Sequence, residues 1–189
     1  MSTTQRAFTD EFHLHHAADE ANAEIVDGNL TEREVSGESS RITAMLLSRL
    51  FVYLSGNPLG NVFGPDCGYR CFGAGSDGSI RIRRPDVSFV SAGRMSQDEY
   101  ESGYLQTVPD LAVEVVSPND MADELDQKLE EYLQAGVKQV WIIHPRTQTV
   151  EIYTSDGHSV RLHAGDRLTA DDLLPGFQCQ VADVFPKLV

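Results

Sequence analysis

The sequence has 189 residues, 41% of them hydrophobic and 23% charged, with a formal net charge of −14. This is enough apolar material for one compact domain with a real core, and no apolar run approaches the length that spans a bilayer. So acidic a chain is poorly suited to strong, sequence-blind binding to nucleic acid, which needs a basic footprint.

The acidity is uneven. Residues 1–32 carry one basic and seven acidic residues, 33–94 carry eight and five, and 95–189 carry six and seventeen. The middle third alone is able to face a polyanion. Its Arg81, Arg83 and Arg84 also read as ordinary charges at a strand edge. The three cysteines are Cys67, Cys71 and Cys179. An odd, low count argues against a disulfide framework and fits a reducing compartment. The first residues show no basic region followed by an apolar stretch, so the expectation is a cytoplasmic protein. The CGYRC pair has no second Cys or His pair at finger spacing and reads as small buried hydrophobes.

In chain order, residues 1–23 form a polar segment that frays or makes a short helix, followed by a single domain over 24–189. HLHH, with His13, His15 and His16, reads as solvated rather than metal-binding. Residues 24–34 predict a hairpin turning on Asp27-Gly28. Ile42, Met45, Leu46, Leu50 and Tyr53 recur at helical spacing, with Ser36 or Ser39 as N-cap and Gly56 as the stop. Short strands are predicted near 60–63, 69–72 and 80–90, the last two separated by the loop GAGSDGS. Residues 91–108 look irregular. Residues 111–116 predict a buried strand, 120–135 a helix capped by Ser117 or Asn119 and closed by Gly136, and 139–144 another buried strand. A hairpin turns on Asp156-Gly157, and LLPGFQCQVADVF ends with a short strand. A strand–helix–strand unit from 111 to 144 implies a parallel pair joined by a crossover. The fold class is therefore α/β, a mixed sheet with helices on both faces and additional hairpins.

The buried strand poses a chemical question. Ala112, Glu114 and Val116 share one face, and Leu111, Val113 and Val115 the other. An ionised Glu114 in a core is costly unless paired, hydrogen-bonded or metal-bound. Asp86 follows Pro85 where an apolar strand begins, and the two carboxylates converge if their strands are neighbours. Two adjacent carboxylates repel unless a cation lies between them, and hard oxygen ligands suit Mg²⁺ or Mn²⁺. On the second helix Met121, Leu125, Leu129 and Tyr132 form the sheet-facing stripe. Lys128 falls on the same stripe. It either points inward, to place or deprotonate an attacking water or to stabilise phosphoryl charge, or snorkels and pairs with Glu124. Glu114 alternatively pairs with Arg41 or Arg84, and Asp86 alternatively caps a turn.

RRPDVSFV, PDLAVEVVSPND and QKLEEYLQAGVKQVWIIHP, with EIVDGNL, LLPGF and ADVF, resemble the Uma-type restriction endonucleases, a branch of the PD-(D/E)xK nuclease superfamily. The resemblance runs from about residue 24 to 185. It implies a restriction-endonuclease-like core in which Asp86 is the aspartate of the PD motif and Glu114 the acidic member of the (D/E)xK motif. The backbone carbonyl of Val115 is then a further ligand of Mg²⁺ or Mn²⁺. Two residues after Glu114 stands Val116 where the superfamily has lysine, and Lys128 on the following helix takes that place. Glu38 is the candidate for a first-helix glutamate that joins such sites, a position the helix dipole alone also favours. Pro109-Asp110 also spells PD and reads as a turn leading into the Glu114 strand.

Two functions follow. One is a Mg²⁺-dependent endonuclease acting on DNA, as a homodimer. The other is a catalytically silent or partner-dependent acidic binding and assembly module on the same fold. Residues 91–108 are where substrate or subunit contacts are expected.

Overall fold

A computed structural model describes residues 11–33, 35–73, 78–118 and 120–185. Asn119, Glu34 and residues 74–77 of the GAGSDGS loop lie outside the described residues, as does the side chain of His13.

The chain begins with helix α1 (Glu11–Glu20) and a hairpin of β1 (Glu24–Val26) and β2 (Asn29–Thr31). Helix α2 (Gly37–Gly56) follows. Strands β3 (Gly60–Phe63) and β4 (Val87–Ser91), the single-turn helix α3 (Gln97–Tyr100), and β5 (Leu111–Val115) come next. Helix α4 (Ala122–Ala135) leads to β6 (Gln139–His144), β7 (Thr149–Thr154) and β8 (Ser159–Leu162). Strands β9 (Arg167–Thr169) and β10 (Gln178–Gln180) pair, and a 3₁₀ turn (Val181–Val184) ends the described chain.

The main sheet has the order β3-β4-β5-β6-β7-β8. Only β5 and β6 are parallel, joined through α4, the kind of crossover parallel neighbours require. The side-chain alternation of β5 assigns the two faces. Leu111, Val113 and Val115 pack with Ile42, Leu46 and Leu50 of α2 and with Trp141 and Ile143. Ala112 packs on the opposite side with Tyr132 of α4, Val140 and Ile142. The mixed α/β sheet with helices on both faces is thus built as the periodicities predict. A third apolar cluster, including Leu14, Ala18, Ile25 and Ile82, packs α1 against the hairpin.

Ser36 caps α2 by accepting from the Ser39 amide, while the Ser39 hydroxyl accepts from the Ser36 amide. That reciprocal pairing satisfies two otherwise orphaned donors. Met121 is the N-cap of α4 and makes no side-chain cap; it lies four residues after Ser117 and two after Asn119, the predicted caps. Met121 is 61% exposed and leaves the predicted stripe, because it precedes the first helical turn. Gly136 closes α4 at φ 98°, a left-handed conformation that favours glycine.

Three predicted strands change. Residues 69–72 make only isolated bridges, Tyr69 to Arg83 and to Leu105. The strand expected over 80–90 is regular only from Val87, since Pro85 lacks the N–H a ladder needs. The strand at 111–116 ends at Val115. The short β9 is an addition that partners the predicted C-terminal strand. Cys67, Cys71 and Cys179 are free thiols. Cys67 and Cys71 are only half-buried beside an apolar cluster, and burial pushes them up to about 11 and about 12. No helix among the described residues is long and apolar enough to cross a membrane.

Candidate active site

The β4–β5 ladder pairs Val87 with Val113, Ser88 with Ala112 and Phe89 with Leu111. The ladder ends at Val87 opposite Val113, so the residue before it, Asp86, lies near the end of β5. Pro85 has no N–H to extend the ladder, and the regular strand begins only at Val87. Asp86 Oδ2 accepts from the Val115 amide at 2.7 Å, and its Oδ1 accepts from Arg33 at 2.5 Å.

Glu114 points to the α4 face. Its Oε1 accepts the Tyr132 hydroxyl at 2.6 Å, and its Oε2 lies 3.3 Å from the Lys128 ammonium. Lys128 and Tyr132 are one helical turn apart, so a single face of α4 supplies both. Lys128 turns inward rather than toward Glu124, and its Nζ also reaches Glu24 Oε1 at 3.2 Å.

Glu24, at the start of β1, is 1% exposed. It accepts from the Arg84 amide at 3.0 Å and from Arg83 at 2.9 Å. Arg83 in turn makes a two-pronged pair with Glu131 of α4, at 2.7 and 3.0 Å. Two of the three arginines read as strand-edge charges are therefore interior, Arg83 at 3% and Arg84 at 4% exposure, while Arg81 is half-buried. Arg84 does not pair with Glu114 but donates to Asp19 and to the carbonyls of Ala23 and Asp66. Arg41 is exposed.

The electrostatics divide the carboxylates. Burial alone would raise Glu24, but Lys128, Arg83 and the Arg84 amide outweigh it and hold the carboxyl at about 2. Burial raises Glu114; Lys128 opposes this, while the charges of Asp86 and Glu24 add to the rise. Burial also raises Asp86 against the pull of Arg33 and the Val115 amide. Burial would lower Lys128, yet Glu114 and Glu24 carry it above its ordinary value, so it stays an ammonium at neutral pH.

Glu38 is exposed in the first turn of α2. That turn approaches the end of β5, because the Ser39 and Ser117 hydroxyls share a hydrogen bond at 3.0 Å. His16 stands 3.3 Å from Glu20 on the surface, and the His15 ring packs edge-on against Tyr104. The second PD, at Asp110, accepts from the Ser91 amide and meets Lys138 and Arg94. It fixes the turn into β5. Within 91–108, Glu99 accepts from the amides of Gln106 and Thr107 and ties the segment to α3.

Among the described residues no group of three His, Cys, Asp or Glu side chains gathers as a metal-ligating cluster. The donor set implied for a cation is two carboxylates and one backbone carbonyl. Asp86 and Glu114 fit it, since each is a hard oxygen donor and the charge of Asp86 helps to raise Glu114. The Val115 N–H faces Asp86, and in an extended strand a residue's C=O points to the same side as its N–H.

Comparison with known proteins bears on this arrangement. Residues 9–182 match the model of the Uma2 family, described as "Putative restriction endonuclease". The chain belongs to that Uma2 family. A crystal structure of a "putative nuclease belonging to DUF820" from Anabaena variabilis is 19% identical and superimposes with a TM-score of 0.74. The match covers 88% of this chain and 90% of that one, and it establishes the shared fold. None of the curated proteins matches.

Four residues around Asp86, Glu114 and Lys128 go unnoticed in the sequence reading: Arg33, Glu24, Tyr132 and Glu131. Arg33 and Glu24 come from the N-terminal hairpin region, far in sequence from the motifs, and nothing local marks them. Tyr132 reads as an ordinary apolar stripe residue. Glu131 had one available signal, as its neighbour Tyr132 faces the sheet.

Proposed function

We propose that this Uma2-family protein is a metal-dependent endonuclease that hydrolyses phosphodiester bonds in DNA. The observation that carries the reading is the meeting of Asp86, Glu114 and Lys128 at the end of the β4–β5 pair, with Lys128 Nζ 3.3 Å from Glu114. Asp86, Glu114 and the Val115 carbonyl would hold Mg²⁺ or Mn²⁺, which when bound polarises a phosphate oxygen and acidifies water.

The chain's own groups have separable tasks. The Val115 amide fixes Asp86, and the Tyr132 hydroxyl fixes Glu114. Lys128 is a protonated ammonium between two carboxylates. It therefore stabilises developing phosphoryl charge or orients water, and does not deprotonate it. Glu24 is a positioning residue that shares the Lys128 ammonium with Glu114. Glu38 is a further candidate, a short distance along α2 from the Ser39–Ser117 contact. One site cleaves one strand, so cleavage of both strands calls for two copies, and a homodimer in the cytoplasm belongs to this reading.

The alternative of a catalytically silent binding module has one observation in its favour. The carboxylates already have internal partners, Arg33 for Asp86 and Lys128 for Glu114. Plasmid nicking in Mg²⁺ and then Mn²⁺ at low salt separates the two. The nuclease reading expects cleavage by wild type and none by Asp86→Asn or Glu114→Ala from identical preparations. Equal behaviour of all three proteins overturns it and leaves the catalytically silent or partner-dependent module.

A further inference from the structure

Arg33 has no part in the motifs, yet it makes the most direct contact with the Asp86 carboxylate. Its side chain comes from the segment between the hairpin and α2. One guanidinium nitrogen donates to Asp86 Oδ1 at 2.5 Å, and the other donates to the Pro65 carbonyl at 3.2 Å. Both side chains are largely buried, at 11% and 13% exposure. Asp86 Oδ2 is committed to the Val115 amide. Oδ1 is thus the oxygen open to a cation, and Arg33 is the cation that holds it.

We propose that Arg33 is an exchangeable counter-ion. It neutralises Asp86 in the metal-free protein and yields Oδ1 when a divalent cation binds. The inference rests on Asp86 being a metal ligand, as proposed above. Buried carboxylates need compensating charge, and without metal the guanidinium supplies it to Asp86 as Lys128 does to Glu114. With a divalent cation present, the same guanidinium is a like charge next to it and opposes its binding. The anchor to Pro65 lets Arg33 give up one contact without leaving the site. The guanidinium then stands beside the place where a phosphate oxygen must approach, with the planar donor geometry that suits phosphate.

The test is Mn²⁺ binding in the absence of DNA, by titration calorimetry, on wild type, Arg33→Ala, Arg33→Gln and Asp86→Asn. Both Arg33 variants are expected to bind Mn²⁺ about tenfold tighter than wild type. Metal-induced stabilisation is expected to grow in step, because the variants lack Asp86 compensation until metal arrives. Equal or weaker Mn²⁺ binding by Arg33→Gln overturns the proposal. Should Arg33→Ala fail to fold without metal, recovery of its structure on adding Mn²⁺ supports the exchange, and Arg33→Gln carries the affinity comparison. Asp86→Asn distinguishes the two failures. If it binds Mn²⁺ as wild type does, the metal-site reading itself falls. If it loses binding while Arg33→Gln gains none, only the exchange falls.

Discussion

Glu24 stands 3.2 Å from the Lys128 ammonium, which also lies 3.3 Å from Glu114, so one lysine joins the two carboxylates. An N-terminal hairpin and the central sheet therefore compete for one lysine. Glu24→Gln keeps the shape of the side chain and removes its charge. Arg83 and Lys128 both lose compensation, and a broken buried pair costs about 3–5 kcal/mol. The expected result is a lower midpoint in urea. The nicking rate should fall about tenfold as Lys128 shifts toward Glu114. An unchanged rate in folded Glu24→Gln would deny Glu24 its positioning role.

Lys128 distinguishes charge stabilisation from base catalysis. Held between two carboxylates, it remains protonated well above neutral pH. Lys128→Arg should keep a measurable fraction of the nicking activity. Lys128→Met should lose about 10²–10³-fold, the usual effect of removing one donor to a developing charge. Comparable loss in both variants would point to the lysine acting as a base.

Tyr132→Phe removes one hydroxyl and leaves the ring in its apolar cluster, where Phe72 lies 4.7 Å away between centroids. Glu114 Oε1 then becomes a buried acceptor without its 2.6 Å donor. That loss costs about 1–3 kcal/mol, read by chemical denaturation. Combined with Glu114→Gln, the loss should be smaller than the sum of the two single effects, since the two groups are in contact.

Asp110 gives a pH dependence away from the catalytic groups. Burial would raise its pKa, but Lys138, the Ser91 amide and Arg94 hold it at about 2. A folded pKa below the unfolded value contributes stability that is present above about pH 4 and lost as pH falls toward 2. Lys138 and Arg94 are partly exposed and screened, so the contribution is on the order of 1–2 kcal/mol. Asp110→Asn should lower the unfolding midpoint at pH 7. It should also flatten its decline between pH 4 and 2. An equally steep decline in the variant would assign the acid sensitivity to other carboxylates, with Glu24 next in line.

The elements most legible in the sequence were those with a single strong period. The α2 stripe, the alternation of β5 and the Asp27-Gly28 and Asp156-Gly157 turns all rest on contacts within a few residues. Composition predicts strands over 69–72 and 80–90, of which 69–72 and 80–86 do not form regular ladders. They became bridges because Pro85 breaks the ladder and the hairpin claims Ile82 through Ile25. Arg81, Arg83 and Arg84 show the same limit in charge. Alternation with isoleucine marks a two-faced segment, but it does not tell a solvent face from a face covered by another element.

The sequence by itself determined the α/β class, the parallel unit from β5 to β6, and the presence of a carboxylate that apolar neighbours could not satisfy. It did so because side-chain period and burial cost act locally along the chain. The tertiary structure decided which partners answer that cost. The end of the β4–β5 ladder brings the Asp86 carboxylate to the Val115 amide, next to Glu114 in the chain. The packing of α4 brings Lys128 and Tyr132 down onto Glu114, and the N-terminal hairpin region contributes Glu24 and Arg33. Charge compensation in a buried site acts over distance in space, so residues 53 apart in sequence, such as Arg33 and Asp86, carry no mark of each other until the chain is folded.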